Sequence, residues 1–419
     1  MSHLIPPVSV KRVLYLSYDG MTDPLGQSQV LPYLIGLSKK GYQFTLISFE
    51  KAERFDKGKA IIEKICNDNH IDWHPLSYTK TPPILSTLKD IRSLKNKIIV
   101  LQRINPFLIV HCRSYITSLA GLWMKKKWGV KFVFDMRGFW ADERVDGGLW
   151  NLKNPLFKTV YNYFKKKEKQ FFEIADHTIS LTHNAKQEIH SWKNVKGQPV
   201  PVQVIPCCVD LELFDPANIH LLQIVEKKKE LNIPVNVSLL AYIGSIGTWY
   251  MLPEMLAFFK RWLQKDPKAI LLFVTNDDEK HILAMAVSAG ISLENIRIKS
   301  ASRTEVPLLI SLCDYSIFFI KPVFSKKASS PTKQAEIMAM GKPVICNSGV
   351  GDTDRVVKQY RSGILIDKFT DADYDLAIKS GIKETKFNND AIREGAKDFF
   401  SLEQGIKRYE EVYIKVLNA

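Results

Sequence analysis

Short apolar runs of strand length alternate with longer amphipathic segments through the first half of the chain, stop, and begin again in the second. Residues 13–17 (VLYLS), 44–48 (FTLIS), 107–111 (FLIVH), 132–135 (FVFD) and 177–181 (HTISL) read as buried strands. Residues 28–40, 85–104, 117–127, 155–174 and 184–191 carry helical spacing between them. A parallel return needs a long crossover, so strand–helix–strand order implies a parallel sheet with helices on both faces. The pattern restarts with strands at 238–243, 270–275, 296–299, 315–320 and 343–346, and helices at 253–264, 279–289, 306–312 and 331–340. The change-over falls in the proline-bounded stretch 205–216 (IPCCVDLELFDP), and the chain closes on an amphipathic segment, 402–417. The expected fold class is α/β, two Rossmann-like doubly wound domains facing each other. Domain boundaries are expected at 1–205 and 206–400, with a terminal helix at 401–419. Ligands in such sheets bind beyond the carboxyl ends of the strands, so the cleft between domains is the expected site.

Composition narrows the classes. Of 419 residues, 46% are hydrophobic and 25% charged, ordinary values that exclude disordered and fibrous chains. No apolar run reaches the roughly 20 residues of a membrane-spanning helix. The opening MSHLIPPVSVKR lacks a signal peptide's apolar core, and the six cysteines form no CxxC or zinc-type spacing. A reduced cytosolic protein with no metal centre is expected. The net charge is +15, with residues 1–205 carrying 31 Lys and Arg against 17 Asp and Glu, and the remainder close to balance. A field of that sign draws phosphates or acidic lipid headgroups. Nucleic acid is not expected as a partner, because the aromatics fall in strands and helix faces rather than on a stacking platform.

Residues 329–347 (SSPTKQAEIMAMGKPVICN) concentrate the chemistry. Pro331 suits a first helical turn with Ser329 or Ser330 as cap, and the helix start with Thr332 and Lys333 makes an anion site fit for a diphosphate. Glu336, one turn on, can accept two hydroxyl hydrogen bonds from a ribose. A plain capped helix with solvated Lys and Glu would look the same. In YIGSIGTWYM (242–251), Gly244, Ser245, Gly247 and Thr248 follow a strand, where glycine lets backbone approach a phosphate or merely makes a tight turn. In SYDGMTDPLGQSQV (17–30), Asp19 sits at the cleft mouth, and Gly26 and Gln27 precede a helix and aim N–H groups at a sugar or phosphate. In FVFDMRGFWADERVDGG (132–148), Asp135, Arg137, Trp140 and Glu143 crowd a strand's end, as substrate-binding residues or structural ion pairs would. His111 and Arg113 end the preceding strand. Residues 153–172 interleave lysines with aromatics, which suits a helix lying on an anionic membrane or an ordinary helix with a wet cationic face.

These segments resemble the nucleotide-sugar glycosyltransferases of the GT-B fold, family 4. SSPTKQAEIMAMGKPVI is similar to the family's nucleotide-binding helix, GSIGTW to its second-domain glycine loop, IPCCVDLELFDP to the segment usually written IPNGVD, and ADHTISLTHNAKQEI to the stretch before that linker. DMRGFWADE is similar to a subset of these enzymes. The resemblance implies a terminal helix crossing back onto the first domain. It implies a UDP- or GDP-sugar donor held by the second domain and a glycan or lipid-linked acceptor on the first. It also implies transfer with retention and no obligatory cofactor (magnesium optional); the basic first half adds the expectation of work in the cytoplasm at the inner face of the membrane. The residues at these strand ends, Asp135, Arg137 and Glu143 with His111 as a secondary candidate, are the catalytic candidates; the family's His role does not carry over to Arg137. Gly244, Ser245, Gly247, Thr248, Ser330, Pro331, Thr332, Lys333 and Glu336 hold the donor, and Asp19, Gly26, Gln27, Arg113 and Trp140 the acceptor or sugar. The chain departs from the family at Ala328, where a first glutamate is common; at Ser245 and Trp249, where the loop often carries Arg and Lys; and at Arg137, which stands where many members have His. Two other readings compete: an epimerase or phosphorylase of the same build, and a binding subunit that has lost turnover.

Overall fold

A computed structural model describes residues 10–82 and 84–419, so the opening stretch read for a signal peptide lies mostly outside the described residues. The chain divides into two compact units. One takes the chain up to Leu181, with Ala185–Ile205 and Gly405–Ala419; the other takes Thr182–Asn184 and Pro206–Gln404.

The first unit is built on seven parallel strands: β1 (Lys11–Ser17), β2 (Tyr42–Glu50), β3 (Asp72–Ser77), β4 (Ile109–Arg113), β5 (Lys131–Asp135), β6 (His177–Ser180) and β7 (Val202–Val204). Their order across the sheet is β3-β2-β1-β4-β5-β6-β7, so the direction of winding reverses between β1 and β4. The inner strands bury apolar side chains on both faces, as with Val13, Leu14, Tyr15 and Leu16 of β1, because helices cover both, and their buried polar residues gather toward the carboxyl ends. Gly121 lets the helix Ser114–Trp128 sit close on the sheet, since a Cβ there would stand 2.5 Å from Cys112 Sγ and 2.6 Å from the Phe132 ring. The terminal helix Leu402–Asn418 buries Tyr409, Val412, Tyr413 and Val416 at helical spacing.

The second unit carries six parallel strands: β8 (Leu239–Ile243), β9 (Ile270–Val274), β10 (Ile296–Lys299), β11 (Tyr315–Phe318), β12 (Val344–Asn347) and β13 (Gly363–Ile366). Their order is β10-β9-β8-β11-β12-β13, reversing between β8 and β11. Both sheets are therefore doubly wound, and the α/β expectation is met.

Some elements differ from expectation. The helix expected over 28–40 is two helices, Pro24–Gln29 and Leu31–Ser38, parted at Val30. Pro32 has no N–H to continue the first helix, and it is accommodated only in the first turn of a new one. Strands β3, β7 and β13 went unread in the sequence; the helices expected from 85, 155, 279 and 306 start at those residues, whereas the one expected from 117 starts at Ser114. The strand expected over 107–111 begins at Ile109 and runs on to Arg113.

Candidate active site

Each unit gathers polar side chains at the carboxyl ends of the strands where its winding reverses, the place where open α/β sheets take ligands. In the second unit β8 delivers the chain into Gly244–Thr248. Gly244 has φ +104° and Gly247 φ +34°, backbone that glycine adopts without strain. Asp277, beyond β9, fastens this loop by accepting from the Ile246 N–H and from Ser245 Oγ at 3.1 Å. Tyr242, on β8, donates its hydroxyl to the Ser245 carbonyl at 2.5 Å. Gly247 and Thr248 are exposed.

Lys333 lies beneath the loop. Its Nζ donates to Tyr242 Oη at 3.0 Å and stands 4.2 Å from the centre of the Tyr242 ring and 3.4 Å from that of Tyr250. The side chain is buried, and no carboxylate among the described residues is within ion-pair distance of it. Burial pushes its amine well below the ordinary lysine range, against the pull of Glu336 and Asp277. The two rings lend the ammonium some stabilisation through their faces, but its charge is left without a counter-ion.

The helix Thr332–Ala339 differs in its start from the expected cap. Pro331 occupies the N-cap position and no side chain caps the helix, because Ser330 Oγ accepts from the Cys207 N–H at 3.1 Å instead. The first N–H groups of a helix have no partners within it, so this end offers donors at Thr332 and Lys333. Glu336 pairs with Arg303 Nη1 at 2.9 Å. Burial raises the Glu336 carboxyl, and Arg303 acts against that rise. Ala328, at the position of the family's first glutamate, is buried and has no polar atom to reach a sugar. Arg303, Tyr242, Tyr250 and Asp277 were not singled out in the sequence. Arg303 comes from a loop remote along the chain, and the tyrosines and Asp277 lay in or beside runs that read as strand.

In the first unit β4 and β5 pair with Arg113 opposite Asp135. Asp135 and His111 are wholly buried, as catalytic groups open to a substrate would not be. His111 Nδ1 lies 2.7 Å from Tyr413 Oη, its Nε2 3.5 Å from Asp135 Oδ2, and Tyr409 donates to Asp135 at 3.2 Å. Tyr413 and Tyr409 tie His111 and Asp135 to the terminal helix, and the ring of Tyr15 on β1 packs against His111. Burial lowers the His111 imidazole and holds it neutral. Burial works to raise the Asp135 carboxyl, but the Arg137 charge, the His111 hydrogen bond and the Arg113 charge hold it below the usual range. Arg137 reaches Asp135 Oδ1 at 3.8 Å, and Arg113 Nε meets Asp19 Oδ2 at 3.2 Å.

Two expectations for this unit are corrected. Gly26 and Gln27 do not precede a helix but lie inside the short helix Pro24–Gln29, with the Gln27 N–H given to the Asp23 carbonyl. Gly26 is small for packing, because a Cβ there would fall 2.2 Å from the Gly20 carbonyl oxygen. Trp140 is no open sugar platform. Its ring stacks on Tyr115, meets Phe164 and Trp150 edge-on, and carries the Arg144 guanidinium 4.9 Å from its centre. Glu143 stays half-buried in the first turn of the helix Trp140–Asp146. Glu50, unread in the sequence, accepts from the Met21 and Thr22 N–H groups and from the Thr22 and Ser48 hydroxyls, and so pins the loop that carries Asp19.

Comparison with known proteins places this architecture. A model of glycosyltransferase family 4 matches residues 30–213, and one of glycosyl transferases group 1 matches residues 223–398. The chain is a family 4 glycosyltransferase. Its fold is GT-B, as in solved structures of low sequence identity. A glycosyltransferase from Rickettsia africae is 16% identical with a TM-score of 0.69, over 97% of this chain and 99% of that one. Sucrose-phosphate synthase from Thermosynechococcus elongatus is 14% identical with a TM-score of 0.74, again over 97% and 99%. Anabaena HepE, solved in complex with UDP and glucose, is 13% identical with a TM-score of 0.65, over 95% and 98%. A search of curated proteins found no match. For this glycosyltransferase, membership of the family favours sugar transfer over the epimerase and phosphorylase readings. Among its described residues no group of three or more His, Cys, Asp or Glu is placed to hold a metal ion, and no helix is long and apolar enough to cross a membrane.

Proposed function

We propose that this glycosyltransferase moves a hexosyl-type sugar, with retention of configuration, from a nucleoside diphosphate donor on the second unit to a glycan or lipid-linked acceptor on the first. The observation that carries the reading is Lys333: an ammonium buried under a glycine loop, with tyrosine rings for neighbours and no carboxylate of its own. A diphosphate entering there gains that cation, the N–H groups of Ser245, Gly247 and Thr248, which Asp277 and the Val274 carbonyl leave free by taking those of Ile246 and Gly244, and the open end of the Thr332 helix. Those donors also meet the charge that develops on the leaving phosphate. Glu336, oriented by Arg303, takes the ribose hydroxyls. UDP in Anabaena HepE supports a uridine donor, with GDP as the alternative base. Calorimetry with UDP and GDP on wild type, Lys333→Ala and Glu336→Ala tests the site. One nucleotide should bind wild type and be weakened about tenfold or more in each variant, as loss of a charge-assisted hydrogen bond worth about 1.5–3 kcal/mol requires. Equal affinity in all three ends the assignment.

The acceptor side favours polysaccharide or glycoconjugate synthesis at the inner face of the cell membrane. Lys95, Lys126, Lys166 and Lys167 are close enough that their mutual repulsion, added to partial burial, lowers the Lys167 amine. Lys127 and Lys95 also lie over the Trp123 ring, and Lys127 over Trp128. Basic and aromatic side chains so mixed suit the headgroup layer of an anionic bilayer.

A further inference from the structure

Arg113 and Asp19 face each other across the reversal of winding in the first unit, at the carboxyl ends of β4 and β1, and Arg137 follows β5, the next strand over. Both guanidinium side chains are buried, 3% and 9% exposed. Two carboxylates stand beside them, and only one is buried with them. Asp135 is completely enclosed, whereas Asp19 is 45% exposed and touches Arg113 through Nε alone. Arg113 Nη1 has no hydrogen-bond partner among the described residues. His111, neutral, contributes no charge. Tyr15 also shares a hydrogen bond with Arg113, but a buried guanidinium whose one bonded carboxylate is solvent-exposed and whose terminal nitrogen is unmet still has room in its shell for a further anion.

The backbone at the same two strand ends is strained. Ser114 has φ +69° and Arg137 φ +56°, though neither is glycine. Non-glycine residues held in such backbone are strained and gather where ligands are clamped. Ser114 follows Arg113 directly where β4 ends, and Arg137 is itself one of the two arginines, two residues beyond β5.

We infer that Arg113 and Arg137 together hold an oxyanion carried by the acceptor, a phosphoryl or carboxyl group, with Asp19 occupying Arg113 until the acceptor displaces it. Planar guanidinium forks match the two oxygens of either group. The inference rests on the reading that the first unit takes the acceptor, and it adds the acceptor's chemical class.

The test is calorimetry on the full chain with saturating nucleoside diphosphate, so that the donor site is filled, using methyl phosphate in one arm and glucuronate in the other. One of the two should bind one to one, and the arm that binds identifies phosphoryl or carboxyl. Arg113→Gln should weaken it at least tenfold. Asp19→Asn, at an exposed position, should tighten it several-fold by removing the competing carboxylate, an effect that a purely structural ion pair would not give. Binding of neither probe, or unchanged or weaker binding in Asp19→Asn, overturns the inference. Failure of nucleoside diphosphate to bind at the outset would instead overturn the donor site, so the two failures are distinct.

Discussion

Lys333 and Glu336 sit three residues apart on one helix, yet burial moves them in opposite senses: the amine down, the carboxyl up. Each shift predicts a pH effect on donor binding. A diphosphate favours the charged amine, so binding above the free protein's Lys333 pKa should take up a proton. Calorimetry in mildly alkaline buffers of differing ionisation enthalpy should show that uptake in wild type and none in Lys333→Met. For Glu336, the acceptor of ribose hydroxyls is the ionised form, so affinity should fall as pH drops through its raised pKa. Arg303 opposes the rise, so Arg303→Gln should move that acid limb to higher pH, with Arg303→Lys restoring part of it; identical limbs would remove Arg303 from the site. At this scale Lys333, Glu336 and the two glycines were legible because the helix start, the cation and the turn lie within one short stretch. Arg303 was not, because it reaches Glu336 only through folding.

The elements show where periodicity suffices. Every inner strand of both sheets was visible as an apolar run, since both faces of a parallel sheet are covered. The strands left unread, β3, β7 and β13, all lie at sheet edges. β3 (DWHPLS) mixes polar residues and a proline, which an edge tolerates because one side of its backbone needs no ladder partner. Helix starts were displaced where prolines decide them, as at Pro24 and Pro32. The terminal helix was read from its apolar spacing, but the polar ends of its two tyrosines were not, and these reach His111 and Asp135. Tyr413→Phe removes the partner of His111 Nδ1 in a closed site, leaving a buried nitrogen unmet at about 1–3 kcal/mol. Its urea unfolding midpoint should fall, while nucleoside diphosphate affinity, which we propose belongs to the second unit, should not change. Loss of nucleotide affinity in that variant would argue against a role confined to the first unit.

Across the whole molecule the charge is lopsided in a way that neither sheet requires, since the second unit builds the same kind of fold with near-balanced charge. The excess on the first half is therefore better explained by what that half meets than by how it folds, and it was readable from composition alone. What composition could not give was the gathering of Lys95, Lys126, Lys127, Lys166 and Lys167 from three separate helices. Each lysine near an anionic bilayer is worth about 1 kcal/mol, so replacing Lys95, Lys126 and Lys166 by Gln should weaken binding by about 3 kcal/mol, roughly a hundredfold. Co-sedimentation with vesicles containing phosphatidylglycerol should show retention of wild type at low salt, loss of it in the triple variant, and loss of it in wild type as salt shortens the screening length to a few ångströms. Retention that ignores both salt and the substitutions would assign the lysines to solubility. Thermal unfolding of the triple variant should stay close to wild type, because exposed lysines relieved of mutual repulsion do not support the core.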